Sequence, residues 1–393
     1  MTNYPEISLK KGKEISVFRQ HHWIFSGAVA KKENGIAEGD LIRLVDHKGE
    51  FLAVGYYAES SIAIRILSFE ERPIDLDFWY EHIAHALSLR KILGLTANPD
   101  TNIYRLLHGE GDLLPGLIID YYNGTAVIQA HHIGICHHIH VIADALKKAY
   151  GPDLKAVYDK SISTIPSNGD PDNPLIYGKP QSAIVSEHGH RFEIDWIKGQ
   201  KTGFFIDQRE NRKLLAKYAQ DKKVLNTFAY SGGFSVYALK GGAKQVYSVD
   251  ISAQAIEWCR KNIAANGFDP SNHPCIEADV MSYLREIGPG FDLIVLDPPA
   301  FAKNIRSRHK AVQAYKRLNA TAIKHIAPGG IIFTFSCSQV ISRDLFEATI
   351  TAASLEAGRP IKILHYLTQP ADHPVNVFHQ ETAYLKGLVL YVS

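Results

Sequence analysis

Residues 223–250 read KVLNTFAYSGGFSVYALKGGAKQVYSVD, which predicts a strand, a glycine turn, a helix and a second strand. The apolar run Val224–Thr227 forms the first strand, and Gln245–Val249 forms the second. Between them, Ser231–Gly233 lets the backbone bend sharply and leaves the N–H groups that open the helix free. Asp250 follows the second strand, where a carboxylate can accept hydrogen bonds from two ribose hydroxyls. The stretch therefore predicts an α/β sheet with a nucleotide-like ligand on this turn.

The glycine spacing of the turn distinguishes between ligands. A dinucleotide site carries G-x-G-x-x-G, so that a pyrophosphate can approach the helix N-terminus. The turn from Asn226 to Gly233 reads N-x-F-x-Y-x-G-G and lacks that spacing. S-adenosylmethionine has no phosphate, so it suits a turn that needs only close backbone approach to an amino-acid group. The alternative is an ordinary βαβ unit with a tight turn and no ligand.

Length and composition limit the number of domains, the kinds of partner and the cell compartment that the chain can have. A chain of 393 residues predicts two or three domains, and a net charge of +2 means that any nucleic-acid surface must be local. The sequence begins without an apolar signal region and has no window of eighteen uninterrupted apolar residues, so we expect a soluble cytoplasmic protein without a membrane partner. Four scattered cysteines without a C-x-x-C pair fit a reducing cytosol: Cys136, Cys259, Cys275 and Cys337.

Residues 1–73 predict a small β domain, with strands in IRLVD, FLAVGYYA and SIAIRILSF. The basic residues Lys10 and Lys11 precede Trp23, and together they could bind a phosphate backbone and stack a base. The alternative is a solvated face of lysines, with Trp23 on one face of a strand.

Residues 74–190 predict a central α+β domain. A helical pattern ends at Gly94, a strand pair turns at Asn123–Gly124, and a second helix covers Ile139–Tyr150. Residues 159–182 are rich in Pro, Gly, Asn and Ser and predict a long loop or an exposed hairpin.

The histidine-rich stretch HHIGICHHIH covers residues 131–140 and includes Cys136. We assign it no metal, because a closed zinc site needs four converging ligands and neighbours on a strand point to opposite faces. Solvated or core-packed histidines are the favoured interpretation.

Residues 191–393 predict a seven-stranded, mainly parallel sheet that ends in a hairpin. Helices alternate with most of the strands, which implies crossover connections and two covered faces. The later predicted elements are a strand around Cys275 and Ile276, strands Leu293–Leu296, Ile331–Phe335, Ile361–Leu367 and Leu388–Val392, and helices Ala253–Asn266, Ala311–Ile326 and Arg343–Ala357.

The motif Asp297-Pro298-Pro299-Ala300-Phe301 follows the apolar strand LIVL, at the edge where open α/β sheets bind ligands. The Asp297 carboxylate can accept a hydrogen bond from an exocyclic amine, Pro298 stiffens the loop, and Phe301 offers a stacking face to an extruded base. The alternative is a rigid turn after a buried strand.

Cys337, in FTFSCSQV, follows another core strand and so lies on the same edge as Asp297. Methylation of carbon 5 of a pyrimidine needs a thiolate that adds to carbon 6, and Cys337 is the candidate nucleophile. Its thiol must then be activated by nearby cationic or N–H groups, which the sequence does not identify. The alternative is an inert buried thiol, the interpretation given to Cys259 and Cys275.

Asp279, in IEADVMSYL, has two interpretations of equal weight. An acid after the third strand could accept a hydrogen bond from the adenine amine of the cofactor, or it could cap the following helix.

With these residues identified, the chain resembles the RlmI-type family of bacterial large-subunit ribosomal RNA cytosine methyltransferases over nearly its whole length. The matching segments are HHWIFSGAV, YRLLHGEGDLLPGLIID, GQKTGFFIDQRENR, VLNTFAYSGGFSVYALKGGA, VDIS, LDPPAFAK, FSCS and QPADHPVNVFHQETAYLKGL. The resemblance implies an N-terminal PUA domain, a central EEHEAD domain and a Rossmann-like class I methyltransferase domain. One departure is His22, which replaces the proline of the family's H-P-W.

The resemblance also implies roles for individual residues. Cys337 would add to the cytosine ring, Asp297 and Phe301 would line the base pocket, and Asp250 would bind the ribose of the cofactor. The groups around the methionine part of S-adenosylmethionine would be Asn226, Phe228, Tyr230 and Gly232. Phe204, Gln208 and Arg209 would cover the cofactor from the other side.

The resemblance predicts 5-methylcytosine formation in ribosomal RNA, on naked or partly assembled subunits, and suggests a homodimer. One alternative is methylation of an RNA nitrogen, which needs no thiol. Another is an RNA-binding assembly factor without turnover.

Overall fold

The computed structural model describes residues 3–165, 174–180, 182–288, 290–302 and 304–393. The chain divides into two compact units. The first consists of Met1–Val185, Ile194–Ile206 and Ala371–Thr382, and the second of Ser186–Glu193, Asp207–Pro370 and Ala383–Ser393. Within the described ranges, none of the helices has the length and apolar character needed to cross a membrane. The division at residues 73 and 190 stays a prediction.

The first unit opens with a six-stranded sheet. Its elements are β1 Glu6–Leu9, the one-turn helix α1 Ile15–Phe18, β2 Trp23–Phe25, β3 Val29–Lys32, β4 Leu41–Val45, β5 Phe51–Tyr57 and β6 Ile62–Ser68. The strand order is β2-β6-β5-β4-β1-β3. Ile42 and Leu44 alternate with less buried residues along β4, as expected for a strand with one face on a core. The three strands predicted for this segment are confirmed.

The same unit contains a five-stranded sheet with helices. Its elements are α2 Leu76–Ile92, β7 Ile103–His108, β8 Leu117–Tyr122, β9 Thr125–Ala130, α3 Ile133–Cys136, α4 Ile139–Tyr150, β10 Ala156–Asp159 and β11 Leu175–Gly178. The strand order is β11-β10-β9-β8-β7. Asn123 and Gly124 both have positive φ, which gives the predicted two-residue turn between β8 and β9. In the predicted loop or hairpin of residues 159–182, β10 and β11 pair antiparallel, while residues 166–173 and 181 lie outside the described residues.

The histidine-rich stretch is not a strand, so the geometric reason given against a metal site was wrong. His131 and His132 follow β9, Ile133–Cys136 form α3, His137 and His138 form the turn between the helices, and α4 begins at Ile139. The His132 side chain accepts a hydrogen bond from the N–H of Gly134 and so caps α3. Burial lowers the pKa of His132 to about 3 and that of His131 to about 4. Both imidazoles are therefore neutral at physiological pH.

The chain continues with a hairpin and the large sheet of the second unit. The elements are β12 Ile184–Glu187, β13 His190–Glu193, α5 Arg209–Ala216, β14 Lys223–Thr227, α6 Gly233–Lys240, β15 Gln245–Asp250, α7 Ala253–Ala265, β16 Cys275–Glu277, α8 Val280–Glu286, β17 Leu293–Leu296, α9 Arg308–His325, β18 Gly330–Ser336, α10 Arg343–Ala357, β19 Ile361–Leu367 and β20 Lys386–Val392. The seven strands of the large sheet follow the order β16-β15-β14-β17-β18-β20-β19. Neighbouring strands from β16 to β18 are parallel, and β20 is antiparallel to both β18 and β19. The predicted seven-stranded, mainly parallel sheet with a closing hairpin is confirmed.

Helices α9 and α10 pack on one face of this sheet. The core there joins Ile294 and Ile332 of the strands to Leu318 of α9 and Phe346 of α10, all buried. Strands covered on both faces read as continuous apolar runs, which is why they could be recognised in the sequence.

Strand register brings the candidate residues to one edge of the sheet. Leu296, the last residue of β17, pairs with Thr227 of β14 and Thr334 of β18. Asp297 therefore leaves the sheet next to the turn after β14, and Cys337 leaves it after β18 at the same edge. This is the carboxyl edge of the parallel strands, where doubly wound sheets bind their ligands.

Candidate active site

The turn after β14 has an unusual backbone. Phe228, Tyr230 and Gly232 all have positive φ, at 53°, 46° and 80°. For residues other than glycine this region costs on the order of 1 kcal/mol. A Cβ on Gly232 would lie 2.6 Å from Sγ of Cys259, so a larger residue cannot fit without movement. The Tyr230 ring packs edge-on against Trp258 at 5.7 Å, which helps to hold the turn.

Asp250 ties this turn to the end of β15. Its Oδ2 accepts a hydrogen bond from the N–H of Tyr230 at 2.9 Å, and its Oδ1 accepts one from the N–H of Ser252 at 2.9 Å. A carboxylate has about four acceptor positions. Two positions are thus left for hydroxyl groups of a ligand at this edge, and the ribose role of Asp250 stays a prediction.

Asn226 is buried inside β14. Its Nδ2 donates to Oγ of Ser235 at 2.8 Å, and that hydroxyl lies 2.7 Å from Oγ of Ser248. The side chain thus links β14, α6 and β15 beneath the turn. Its predicted contact with the methionine part of the cofactor stays a prediction.

Asp279 caps helix α8. Its Oδ1 accepts a hydrogen bond from the N–H of Ser282 at 2.8 Å, and the residue is exposed. The capping interpretation is confirmed. That Asp279 accepts a hydrogen bond from the adenine amine of the cofactor stays a prediction, and it now concerns Oδ2.

The three residues of the GFFIDQR segment that are predicted to cover the cofactor are all buried. Phe204 belongs to the first unit, whereas Gln208 and Arg209 belong to the second. Oε1 of Gln208 accepts a hydrogen bond from Nδ2 of Asn211 at 2.6 Å, and Arg209 opens helix α5. Their covering role over the cofactor stays a prediction.

The loop after β17 presents the predicted base-binding residues. Asp297 and Phe301 are partly exposed, and Pro298 is buried. The Phe301 ring lies 4.7 Å from the Tyr315 ring of α9, which fixes one of its faces against the helix. Lys303, the last residue of the LDPPAFAK motif, lies outside the described residues.

The loop after β18 contacts the loop after β17 directly. Oγ of Ser338 donates a hydrogen bond to the carbonyl of Ala302 at 2.6 Å, and the hydroxyl is buried. Cys337 precedes Ser338 and is partly exposed. The structure therefore brings Cys337 close to the loop that contains Asp297 and Phe301, as the sequence predicts.

Two residues near Cys337 were missed by sequence reasoning. Burial raises the pKa of Tyr315 to about 12, and the nearby Cys337 and Asp297 act in the same direction. Lys386, at the start of β20, donates from Nζ to the carbonyl of Ser338 at 2.8 Å. Lys386 lies inside the segment QPADHPVNVFHQETAYLKGL, but nothing in the local sequence indicates that either residue approaches Cys337, because both reach the site through tertiary packing.

The predicted RNA-contacting residues lie in the first unit. Lys10 and Lys11 are exposed, and Nζ of Lys10 donates to the carbonyl of Gly27 at 2.9 Å. Trp23 is partly buried and its indole N–H donates to Oε1 of Glu110 at 2.7 Å. His22, the departure from the family motif, is buried with Nδ1 2.8 Å from the carbonyl of Ile66. His22 therefore has a structural contact, and Lys10 and Lys11 are exposed cations near the start of this unit, together with Lys13 and Arg19.

His21, His379 and Glu381 form a group that the sequence did not predict. Nε2 of His21 lies 3.6 Å from Oε2 of Glu381, and Nε2 of His379 lies 3.8 Å from the same oxygen. The two imidazoles stack with centroids 4.3 Å apart and an interplanar angle of 28°. Each of the three side chains offers one ligand atom, and these atoms lie within 4.8 Å of one another, but a closed tetrahedral zinc site needs four ligands, so we assign no metal to this group.

Comparison with known proteins establishes the family. Residues 164–389 match the family described as S-adenosylmethionine-dependent methyltransferase, and residues 7–69 match the PUA-like domain. The ribosomal RNA large subunit methyltransferase I of Aeromonas hydrophila is 40% identical over 394 residues, which cover 98% of both chains. That of Tolumonas auensis is 39% identical with the same coverage. The chain belongs to the ribosomal RNA large subunit methyltransferase I family.

A solved structure supports the fold assignment for this family member. A Streptococcus mutans protein classed as a SAM-dependent methyltransferase superposes with a TM-score of 0.84 at 22% sequence identity, covering 99% of this chain and all of the other. The PUA-like domain and the methyltransferase sheet predicted from the sequence are confirmed.

The groups at the carboxyl edge fit S-adenosylmethionine, the cofactor of this methyltransferase family. Asp250 offers acceptors for ribose hydroxyls, and the turn from Phe228 to Gly232 brings backbone rather than side chains to the start of α6. The turn lacks the glycine pattern of a pyrophosphate site, and it leads into the start of α6, where the first N–H groups of a helix can bind a carboxylate.

Proposed function

We propose that this chain methylates carbon 5 of a cytosine in large-subunit ribosomal RNA through a covalent adduct between Cys337 and carbon 6 of the base. Two relatives that match over the full length are named for large-subunit ribosomal RNA, which supports the substrate class. The observation that carries the chemistry is the hydrogen bond between Ser338 and Ala302. It keeps a partly exposed cysteine next to the loop of Asp297 and Phe301.

We propose different residues for the contacts with the RNA phosphates and with the RNA bases. Lys10 and Lys11 supply cations for phosphates, and Trp23 supplies a ring for stacking. A cytosine in a helix must be extruded before a thiol can reach carbon 6, which costs a few kcal/mol. Phe301 offers a stacking surface for the extruded ring, and Asp297 accepts a hydrogen bond from its exocyclic amine.

In the proposed reaction, Cys337 acts as the nucleophile. Its thiolate forms a bond to carbon 6, and the electron pair of the 5,6 double bond makes carbon 5 nucleophilic. S-adenosylmethionine, when bound, supplies the electrophilic methyl group for carbon 5. Loss of the carbon 5 proton to a base then returns the electron pair to the 5,6 bond as the carbon–sulfur bond breaks. Cys337 leaves as a thiolate and is regenerated.

Trapping with a fluorinated base tests this function. RNA that carries 5-fluorocytosine has no carbon 5 proton to lose, so the adduct cannot break down after methylation. We expect a covalent protein–RNA species with the wild-type enzyme and S-adenosylmethionine, and none with Cys337→Ala. Peptide mass spectrometry should place the modification on Cys337.

Cys275→Ala is the matched control. Cys275 is also partly buried, but it lies on β16 and faces Sγ of Cys259 at 3.8 Å, and three strands of the sheet separate β16 from β18, which Cys337 follows. This variant should form the adduct as the wild type does. Methyl transfer that survives in Cys337→Ala would instead favour methylation of an RNA nitrogen, and failure of calorimetry to detect S-adenosylmethionine binding would favour an assembly factor.

Mass mapping of ribosomal RNA from cells that lack the protein would identify the nucleotide and the atom. Assays on naked RNA and on partly assembled subunits would distinguish the two substrate forms. The cytoplasmic location and the homodimer stay predictions.

A further inference from the structure

Lys386 occupies an unusual position for a lysine. It opens β20 and pairs with Ser336, the last residue of β18, so it lies across the ladder from the residue that precedes Cys337. Only 7% of its surface is exposed. Lysine side chains are almost never fully buried unless their charge has a partner, so this burial calls for a nearby anion or a function.

The hydrogen bond of Lys386 directs its ammonium group toward the cysteine loop. Nζ donates to the carbonyl of Ser338 at 2.8 Å, on the residue that follows Cys337. With its Cα opposite Ser336 and its Nζ on Ser338, the side chain runs along the backbone that carries Cys337. An ammonium group has three N–H donors, and a carbonyl uses one of them. A carbonyl is also uncharged, so it does not neutralise the ammonium.

Four ionisable groups from four elements act on the region of Cys337, namely Lys386, Arg343, Tyr315 and Asp297, and three of them carry a charge. Lys386 lies on β20 and Arg343 lies on α10. Burial and the repulsion of Arg343 lower the pKa of Lys386 to about 8, whereas Cys337 acts to raise that pKa. Tyr315 of α9 is held neutral, because its pKa is raised to about 12. Asp297, after β17, is an anion that acts on the same region and would disfavour a thiolate. Lys386 is thus the buried cation whose hydrogen bond reaches the cysteine loop.

We propose that Lys386 holds Cys337 as a thiolate, and that the hydrogen bond to Ser338 positions its ammonium group for this task. The assignment rests on the proposed function, because it gives the nucleophile of that reaction its activating group. A cation beside a cysteine favours the ionised sulfur, which is the reactive form. A cation near the sulfur would also stabilise the thiolate when the bond to carbon 6 breaks.

The pH dependence of Cys337 alkylation tests the proposal without requiring methyl transfer. The full-length enzyme is treated with iodoacetamide from pH 5 to 10, and the rate at Cys337 is followed by peptide mass spectrometry. We expect the wild-type midpoint to lie below the ~8.5 of a free cysteine. In Lys386→Met the midpoint should rise by about one unit, so that alkylation at pH 7 slows about tenfold. Lys386→Arg keeps a permanent charge and should retain a low midpoint.

Lys362→Met is the matched control for loss of one positive charge. Lys362 is exposed on β19 and its Cα pairs with Tyr391, near the end of the sheet away from Cys337. Its alkylation profile should equal that of the wild type. Calorimetric binding of S-adenosylmethionine by each variant shows that the site is folded.

Two results are decisive for Lys386. An unchanged midpoint in Lys386→Met, with S-adenosylmethionine binding retained, would refute the assignment. A raised midpoint with a lower kcat and an unchanged KM for RNA would support it, since a merely structural role would not shift the ionisation of the thiol. If Lys386→Met does not fold, Lys386→Arg decides, because a midpoint at or above 8.5 in a charged variant contradicts the proposal.

The proposed function can fail separately. If Cys337→Ala still methylates RNA, the covalent chemistry is wrong. The ionisation of Cys337 in the wild type and in Lys386→Met still shows whether Lys386 lowers the pKa of that thiol.

Discussion

Oγ of Ser338 donates a hydrogen bond of 2.6 Å to the carbonyl of Ala302, and this contact joins the loops after two neighbouring strands. One loop carries Cys337 and the other carries Asp297. The carbonyl of Ser338 accepts from Lys386 at the same time, so one residue organises both the position and the charge of the cysteine loop.

We predict that Ser338→Ala slows formation of the covalent adduct at least tenfold. The change removes the hydroxyl contact to Ala302 but keeps the carbonyl that binds Lys386, so the loops lose their mutual position and small displacements of reacting groups are costly. The free energy of unfolding should fall by about 1–2 kcal/mol, because a buried carbonyl loses its partner. Single-turnover trapping and urea denaturation measure the two effects.

Ser354→Ala is the matched control for this prediction. Oγ of Ser354 also donates to a carbonyl at 2.6 Å, that of Arg359, but it does so at the end of α10. Because this hydrogen bond is only partly buried, water can replace it, so its loss should lower stability by less than the loss at Ser338 and should leave adduct formation unchanged. Equal adduct rates in both variants would contradict the role assigned to Ser338.

The second prediction concerns the buried ion pair of Arg212 and Glu187. Nη2 of Arg212 contacts both carboxylate oxygens at 2.7 and 2.8 Å, and Tyr237 donates to the same carboxylate at 3.0 Å. Glu187→Gln leaves the guanidinium buried without its counter-charge, so the free energy of unfolding should fall by about 3 kcal/mol. Glu193→Gln removes an exposed partner of Lys261 at 3.9 Å and should cost less than about 1 kcal/mol. Urea denaturation of both variants checks the difference.

Much of the large sheet could be predicted from the sequence. Strands Leu293–Leu296 and Ile361–Leu367 and helix Arg343–Ala357 have the predicted bounds. These elements are bounded by clear local signals, such as Ser342, whose side chain caps α10, and Gly358, which ends it with positive φ. The parallel arrangement then placed Asp297 and Cys337 on one edge.

The charged surroundings of Cys337 could not be predicted in this way. A lysine just before an apolar strand looks like a solvated end, and only the antiparallel pairing of β18 with β20 turns Lys386 toward Ser338. Likewise, the histidines around Ile133 form helical turns rather than a strand, because the cap by His132 supports a helix that local periodicity did not reveal. Long-range pairing and side-chain caps are the information that the sequence pattern lacks.

The third prediction is a loss of stability in acid that depends on His132. Its imidazole stacks on Tyr56 at 5.5 Å, and burial lowers its pKa to about 3. In the unfolded chain the pKa is near ~6.5, so the unfolded state binds more protons below that pH and stability falls as the pH decreases. His132→Asn keeps a capping acceptor without a titrating ring. It should reduce the loss of stability between pH 6.5 and pH 4.5 by on the order of 2 kcal/mol.

Denaturation curves across this pH range measure the effect as a slope, so a general loss of packing in His132→Asn does not obscure it. His309→Asn, at an exposed position on α9, should leave the slope of the wild type unchanged. A slope in His132→Asn equal to that of the wild type would show that this histidine is not the source of the acid sensitivity.

The last prediction concerns Gly232, where the backbone conformation and the packing of the cofactor turn act together. Gly232→Ala places a methyl group at positive φ and 2.6 Å from Sγ of Cys259. We expect the free energy of unfolding to fall by about 2–3 kcal/mol and the affinity for S-adenosylmethionine to fall about tenfold, because the turn must shift. Adding Cys259→Ala removes the sulfur and should restore about 1 kcal/mol, while the backbone strain remains. Denaturation and calorimetry of the single and double variants measure the free energy of unfolding and the affinity for S-adenosylmethionine. Strictly additive effects of the two substitutions would mean that contact with the sulfur of Cys259 is not what excludes a methyl group at position 232.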